Sequence, residues 1–126
     1  MEKCILVVDD DALNLKRTKI ILQKHYDMLF AESGKEALEI LKSEKIDMVL
    51  LDIAMPDMNG IEAFEHMKEE GIDIPVIFLT ASGDEDDVLS ALSLGAVNYL
   101  KKPFIPQELL KRVAKGFEKD ENGRAD

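Results

Sequence analysis

The sequence predicts an α/β protein, a doubly wound parallel sheet of five strands with helices on both faces. Three observations predict it. Short apolar runs recur without polar alternation, the pattern of strands buried on both faces. Stretches with apolar residues at helical spacing fill the intervals between them. Strand and helix therefore alternate five times, and right-handed crossovers make such a sheet parallel.

Cys4-Ile5-Leu6-Val7-Val8 is the first run, and it stops at Asp9-Asp10-Asp11. Leu13, Leu15, Ile20, Ile21 and Leu22 follow at helical spacing and predict a helix to about Gln23. Asp27 to Ala31 is a short second strand. Ser33-Gly34-Lys35-Glu36 has the Ser-x-x-Glu pattern of a capping box, and Ala37, Leu38, Ile40 and Leu41 give the inner face of its helix. Met48 to Asp52 is the central strand, four apolar residues ending in one carboxylate; Pro56 and Gly60 mark the loop after it. Ile61, Phe64 and Met67 predict a third helix that ends by Gly71. Ile74 to Thr80 is the fourth strand, with Pro75 tolerable at its start. Ser82-Gly83-Asp84-Glu85 opens a fourth helix through Val88, Leu89, Leu92 and Leu94, and Gly95 stops it. Val97 to Lys101 is the fifth strand. Pro106 suits the first turn of a fifth helix carrying Leu109, Leu110, Val113 and Phe117, and the polar residues from Glu118 onward are expected to fray.

The chain has 126 residues, is 46% hydrophobic and carries a formal net charge of −10. That length fits one domain with a full core. The acidic surface argues against direct binding to nucleic acid or to an anionic membrane, since both need a basic face. The apolar runs are strand-length, short of the ~20 residues that span a bilayer. Met1-Glu2-Lys3 leads straight into a strand rather than a signal peptide. Cys4 is the single cysteine, so no internal disulfide forms; a reducing cytosol is expected, and Cys4 reads as a small core residue. No internal repeat or interdomain linker interrupts the pattern.

In a parallel sheet the C-terminal strand ends share one edge, where open α/β sheets bind ligands. Here that edge collects Asp9-Asp10, Asp52, Thr80 and Lys101-Lys102-Pro103. Carboxylates brought together repel and raise one another's pKa, a cost that a divalent cation removes. Oxygen ligands favour Mg²⁺, with Ca²⁺ or Mn²⁺ as alternatives. A carboxylate beside such an ion can act as a nucleophile toward phosphorus, and the charge of the transition state then needs the metal, an ammonium and hydrogen-bond donors. Lys102 and Thr80 are the right types for these roles. No G-x-x-x-x-G-K-[ST] or G-x-G-x-x-G loop is present, so the phosphoryl group arrives on something other than a bound nucleotide.

Val8-Asp9-Asp10, Leu51-Asp52 with Met55-Pro56-Asp57-Met58-Asn59-Gly60, Leu79-Thr80-Ala81 and Lys102-Pro103-Phe104 resemble the four signature blocks of the response-regulator receiver domain. The resemblance covers residues 2–118, with 119–126 as a polar tail or the start of a linker. It implies a flavodoxin-like (βα)₅ fold with strand order 2-1-3-4-5. It implies that Asp52 is the phosphoacceptor, charged from a phosphohistidine on a sensor histidine kinase or a phosphotransfer protein. Asp9, Asp10, Asp52 and the backbone carbonyl of Ala54 would hold Mg²⁺. Lys102 would pair with the phosphoryl group, before a cis bond to Pro103. Thr80 would turn toward that group and Tyr99 would follow as the switch. The surface of the fourth helix, fifth strand and fifth helix would then meet an effector or a second copy. Such a protein is cytoplasmic and, though it catalyses its own phosphorylation and dephosphorylation, is not a turnover enzyme. Val97-Asn98 precede Tyr99 where one large transcription-factor subfamily carries an acidic pair, which argues against that subfamily's dimer.

Other readings weigh less. An aspartyl phosphatase needs D-x-D, and the second position is Ala54. An EF-hand aligned on Gly60 would put Met55 and His66 at ligand positions. His25 and His66 have no partner at metal spacing and read as surface residues. The remaining rival is a degenerate receiver that acts as a protein-interaction module without phosphorylation.

Overall fold

The computed structural model describes residues 3–81 and 85–123, with side chains at 3–81 and 86–118. Five strands alternate with five helices: β1 (Cys4–Val8), α1 (Ala12–Leu22), β2 (Asp27–Ala31), α2 (Gly34–Ser43), β3 (Met48–Asp52), α3 (Gly60–Glu69), β4 (Val76–Thr80), α4 (Glu85–Leu94), β5 (Asn98–Lys101) and α5 (Pro106–Gly123). The strands form one parallel sheet in the order β2-β1-β3-β4-β5.

Residues of β3 and β4 are buried throughout, as the unbroken apolar runs require. Alternate residues serve opposite faces. Ile5, Val7, Met48, Leu50, Ile77 and Leu79 join Leu15, Leu22, Leu109, Val113 and Phe117 on the α1/α5 side. Leu6, Val8, Val49, Leu51, Val76 and Phe78 meet α2, α3 and α4 on the other. Cys4 is half-buried against that second cluster, and burial followed by the charges of Asp27, Asp47 and Glu44 raises its thiol pKa. Both effects make it a poorer nucleophile than a free thiol.

Local starts and stops agree with the sequence in kind and differ in detail. The Ser33 hydroxyl accepts from Glu36 N at 3.1 Å, but the Glu36 carboxylate reaches back to Glu32 N rather than to Ser33. The expected capping box is thus displaced by one residue on its return arm. A complete box forms instead at α3, where Asn59 and Glu62 exchange both bonds. Gly71 and Gly95 end α3 and α4 with positive φ, of 75° and 114°. β4 begins at Val76, two residues later than expected, and β5 at Asn98. The Ser82–Asp84 start proposed for α4 lies outside the described residues. The helix of α5 continues to Gly123 where fraying from Glu118 was expected.

Four of the apolar residues whose spacing marks helices are exposed: Leu13, Ile20, Leu89 and Leu94. In α1 the buried stripe is Leu15, Thr18 and Leu22, a 3-then-4 spacing. Leu13 and Ile20 fall outside it, because apolar residues on both flanks of a short helix blur its periodicity. No helix among the described residues is long and apolar enough to cross a membrane.

Candidate functional site

The site is built where β1, β3 and β5 run out. Val8 pairs with Leu51, and Thr80 with Lys101, so the strand ends are level. Asp9 and Asp52 are buried and Asp10 is exposed; one carboxylate oxygen from each lies within 4.8 Å of the others. Asp9 is fixed on both sides. Its Oδ1 accepts from Asp11 N at 2.9 Å, and its Oδ2 accepts from Lys102 Nζ at 2.9 Å. Asp11 in turn caps α1 by accepting from Leu13 N.

Lys102 Nζ also lies 3.3 Å from Asp52 Oδ1. One ammonium thus bridges two buried carboxylates from different strands. Burial pushes the Asp52 pKa up, Lys102 pulls it down, and Asp9 and Asp10 push it up again, leaving it at about 6. Burial depresses the Lys102 pKa, but the hydrogen bond to Asp9 and the charges of Asp52 and Asp9 outweigh it and hold the ammonium above its ordinary value. Three oxygen donors carrying more negative charge than one ammonium neutralises are a fitting set for a hard divalent cation.

The loop after Asp52 folds back on it. Ile53 N donates to Leu79 O and Gly60 N donates to Ile53 O at 2.8 Å. Asp57 has φ of 67° inside a tight turn closed by Met58 N to Pro56 O. Gly60 has no side chain because a Cβ there would run into the Asp52 carbonyl and stand 2.9 Å from Ile53 Cα. Ala54 is exposed two residues beyond Asp52. The Lys102–Pro103 peptide bond is cis.

Thr80 is buried at the same edge, and its hydroxyl donates to Ala81 O at 3.1 Å. Tyr99 is 40% exposed. Between them lies a cavity of about 290 Å³, also lined by Val88, Leu89 and Leu92. Tyr99 lines that cavity together with Thr80. His25 and His66 are exposed.

Residues 5–114 match the response regulator receiver domain family. The chain belongs to that family. This receiver is 42% identical over 111 residues to the response regulator SaeR of Staphylococcus aureus, an alignment covering 86% of this chain and 48% of that protein. It spans about half the length of the curated relatives it matches. Among solved structures, the receiver domain from Clostridium thermocellum superposes with a TM-score of 0.88 at 31% identity, over 94% of this chain and 97% of that one. The CheY-like receiver from Methanospirillum hungatei JF-1 gives 0.89 at 31% identity, over 96% and 98%. Full-length FixJ from B. japonicum gives 0.91 at 26% identity, with 99% of the receiver covering 62% of that chain.

Sequence reasoning missed three features around the site. Asn59-x-x-Glu62 is a capping signal that could have been read directly. The contact of Gly60 with Asp52 O depends on the return path of the loop. Arg17 donates to Phe104 O at 2.9 Å across 87 residues of chain, and nothing local announces it.

Proposed function

We propose that this receiver accepts a phosphoryl group on Asp52 and switches a surface in response. The observation that carries the reading is the convergence of Asp9, Asp10 and Asp52 with the Lys102 ammonium set between two of them. The donor is a phosphohistidine on a sensor histidine kinase or a phosphotransfer protein. An Asp52 carboxylate oxygen forms the new bond to phosphorus, the P–N bond of the donor breaks, and its electron pair returns to the imidazole nitrogen. Asp52 must be ionised for this attack, and its partners set how readily it is.

Asp9, Asp10, Asp52 and the Ala54 carbonyl are the proposed ligands of Mg²⁺, with Mn²⁺ as a substitute. The ion, when bound, screens the carboxylates and neutralises charge on the phosphoryl oxygens. Asp9 is held ready by its two hydrogen bonds. Lys102 follows the new charge from Asp52 to the phosphoryl oxygens. Thr80 exchanges its bond to Ala81 O for one to the phosphoryl group. That movement opens room beside the cavity into which the exposed Tyr99 ring rotates. The face of α4, β5 and α5 changes, and an effector or a second copy reads it. Phosphate favours a conformer already populated, which is a population shift. The acidic net charge of −10 leaves nucleic acid and anionic membranes as poor direct partners.

Intact mass after incubation with acetyl phosphate and Mg²⁺ tests the reading, with Asp52→Asn beside wild type. Gain of one phosphoryl group by wild type alone supports it. Equal labelling of both moves the phosphoacceptor elsewhere. No labelling of either, with Mg²⁺ bound and a second small donor tried, leaves a module that signals by binding alone.

A further inference from the structure

The segment between β5 and α5 carries Lys102 but has few bonds of its own. Lys102 N closes the last ladder position on Thr80 O at 2.7 Å. Beyond it Pro103 has no N–H to give. Neither Pro103 nor Phe104 makes a backbone–backbone hydrogen bond among the described residues. Phe104 is partly buried against the α1/α5-side core, but the packing there is incomplete. A cavity of about 260 Å³ separates it from α1, lined by Asp9, Asn14, Thr18, Leu79, Lys102 and Phe104.

Arg17 spans that gap. Its Nη2 donates to the Phe104 carbonyl at 2.9 Å, and its guanidinium stands 5.6 Å from the centroid of the Phe104 ring. The helix it grows from is itself tied to the site, because Asp11 caps α1 while its backbone N–H donates to Asp9. Arg17 therefore references the Lys102 segment to the same Asp9 that Lys102 must reach.

We propose that Arg17 is a positioning residue for Lys102, holding the Pro103–Phe104 backbone so that Nζ stays within reach of Asp9 and Asp52. The inference rests on the phosphoacceptor reading above. The margin is small. Nζ is 2.9 Å from Asp9 but 3.3 Å from Asp52, so a shift of about 1 Å at the segment ends the second contact. Misplacement on that scale costs up to about 100-fold in rate when the displaced group acts on the transition state. A lone exposed arginine would be worth little; here the ring and the carbonyl hold its planar fork, and a lysine offers one point charge instead.

The test measures phosphoryl uptake from acetyl phosphate with Mg²⁺, by intact mass against time, across donor concentrations. The variants are Arg17→Met, Arg17→Lys, Lys102→Ala and Arg17→Met combined with Lys102→Ala. Mg²⁺ affinity is measured by calorimetry on each. Arg17→Met is expected to slow uptake at saturating donor by roughly tenfold, with Mg²⁺ affinity no weaker than in wild type. Arg17→Lys recovers part of the loss. In the Lys102→Ala background, removing Arg17 costs nothing further, since the two act as one unit. An unchanged rate in Arg17→Met overturns the proposal, and so does a loss that persists without Lys102 or one that follows weakened Mg²⁺ binding. Failure of wild type to take up phosphate overturns the phosphoacceptor reading instead, and is told apart by the first sample.

Discussion

Lys102 Nζ stands 3.3 Å from Asp52 Oδ1 while bonding Asp9 Oδ2 at 2.9 Å, so the ammonium is shared unequally between two buried carboxylates. Asp9 has a second donor in Asp11 N, whereas the raised pKa of Asp52, about 6, reflects burial that its share of Lys102 only partly offsets. Asp52 is the less satisfied of the two, and its burial as a carboxylate carries a cost in stability.

That cost has a definite sign with pH. The folded pKa of about 6 lies above the ordinary 3.8, so the folded protein binds the Asp52 proton more tightly than the unfolded chain does. Stability from this group is full below pH 3.8, falls as pH rises toward 6, and is level above it. The loss is about 1–2 kcal/mol once solvent at the sheet edge is allowed for. Asp52→Asn should therefore raise the melting temperature of the metal-free protein at pH 7.5, and the difference should vanish near pH 4. Calorimetric scans at the two pH values check this. An Asn variant less stable than wild type at pH 7.5 would show that Lys102 fully compensates the carboxylate.

Lys102→Ala removes the cation and leaves Asp9 and Asp52 facing each other in a buried setting. Without metal the variant should lose about 2–4 kcal/mol, as when one partner of a buried ion pair is deleted. Added Mg²⁺ should restore more stability to the variant than to wild type, because the ion no longer competes with an ammonium for the same oxygens. Denaturant unfolding with and without Mg²⁺ checks it. Equal stabilisation of both proteins by Mg²⁺ would separate the ion from these carboxylates. The phosphorylated variant should also leave the face of α4, β5 and α5 unchanged.

Two glycines sit against the sheet for different reasons, and their alanine variants should part company. At Gly60 the obstacle is backbone, the Asp52 carbonyl and Ile53 Cα, and neither can yield without moving Asp52. Gly60→Ala should cost about 2–3 kcal/mol by overpacking and suppress phosphoryl uptake. At Gly116, inside α5, the nearest atom to a new Cβ is Met48 Cε at 2.6 Å, the end of a flexible side chain. Helix propensity there favours alanine by ~1 kcal/mol, which offsets the repacking of Met48. Gly116→Ala should stay within about 1 kcal/mol of wild type and keep its uptake. Paired urea titrations and mass measurements test both.

The fold was legible because the inner strands β1, β3 and β4 are apolar up to their C-terminal ends: no alternate reading buries Val49, Leu50 and Leu51 as an amphipathic element. The site was legible for the same reason. Parallel strands level their C-terminal ends, so Asp9, Asp52, Thr80 and Lys102 could be brought to one edge by counting alone. Helix faces were less legible: Leu13, Ile20, Leu89 and Leu94 carry the helical spacing and yet are exposed. Burial of a helix stripe depends on its rotation against the sheet, which periodicity fixes poorly over ten residues. Ties such as Arg17 to Phe104, or Arg112 to Asn98 and Tyr99 O, join residues whose meeting only the finished fold decides.

Tyr99 and Thr80 supply the last prediction. The chain contains no tryptophan, so Tyr99→Trp introduces a single reporter on the rim of the cavity they share. In the unphosphorylated protein this indole should emit as an exposed one, matching the 40% exposure of the tyrosine. Phosphorylation should draw Thr80 toward Asp52 and the indole inward, shifting its emission to the blue. Thr80→Val keeps the shape of the side chain but removes the hydroxyl that would bond the phosphoryl group. Combined with Tyr99→Trp, it should still take up phosphate, more slowly, yet show little or no shift. If the blue shift survives in that double variant, the ring moves without the hydroxyl, and coupling must pass through the β4–α4 backbone instead.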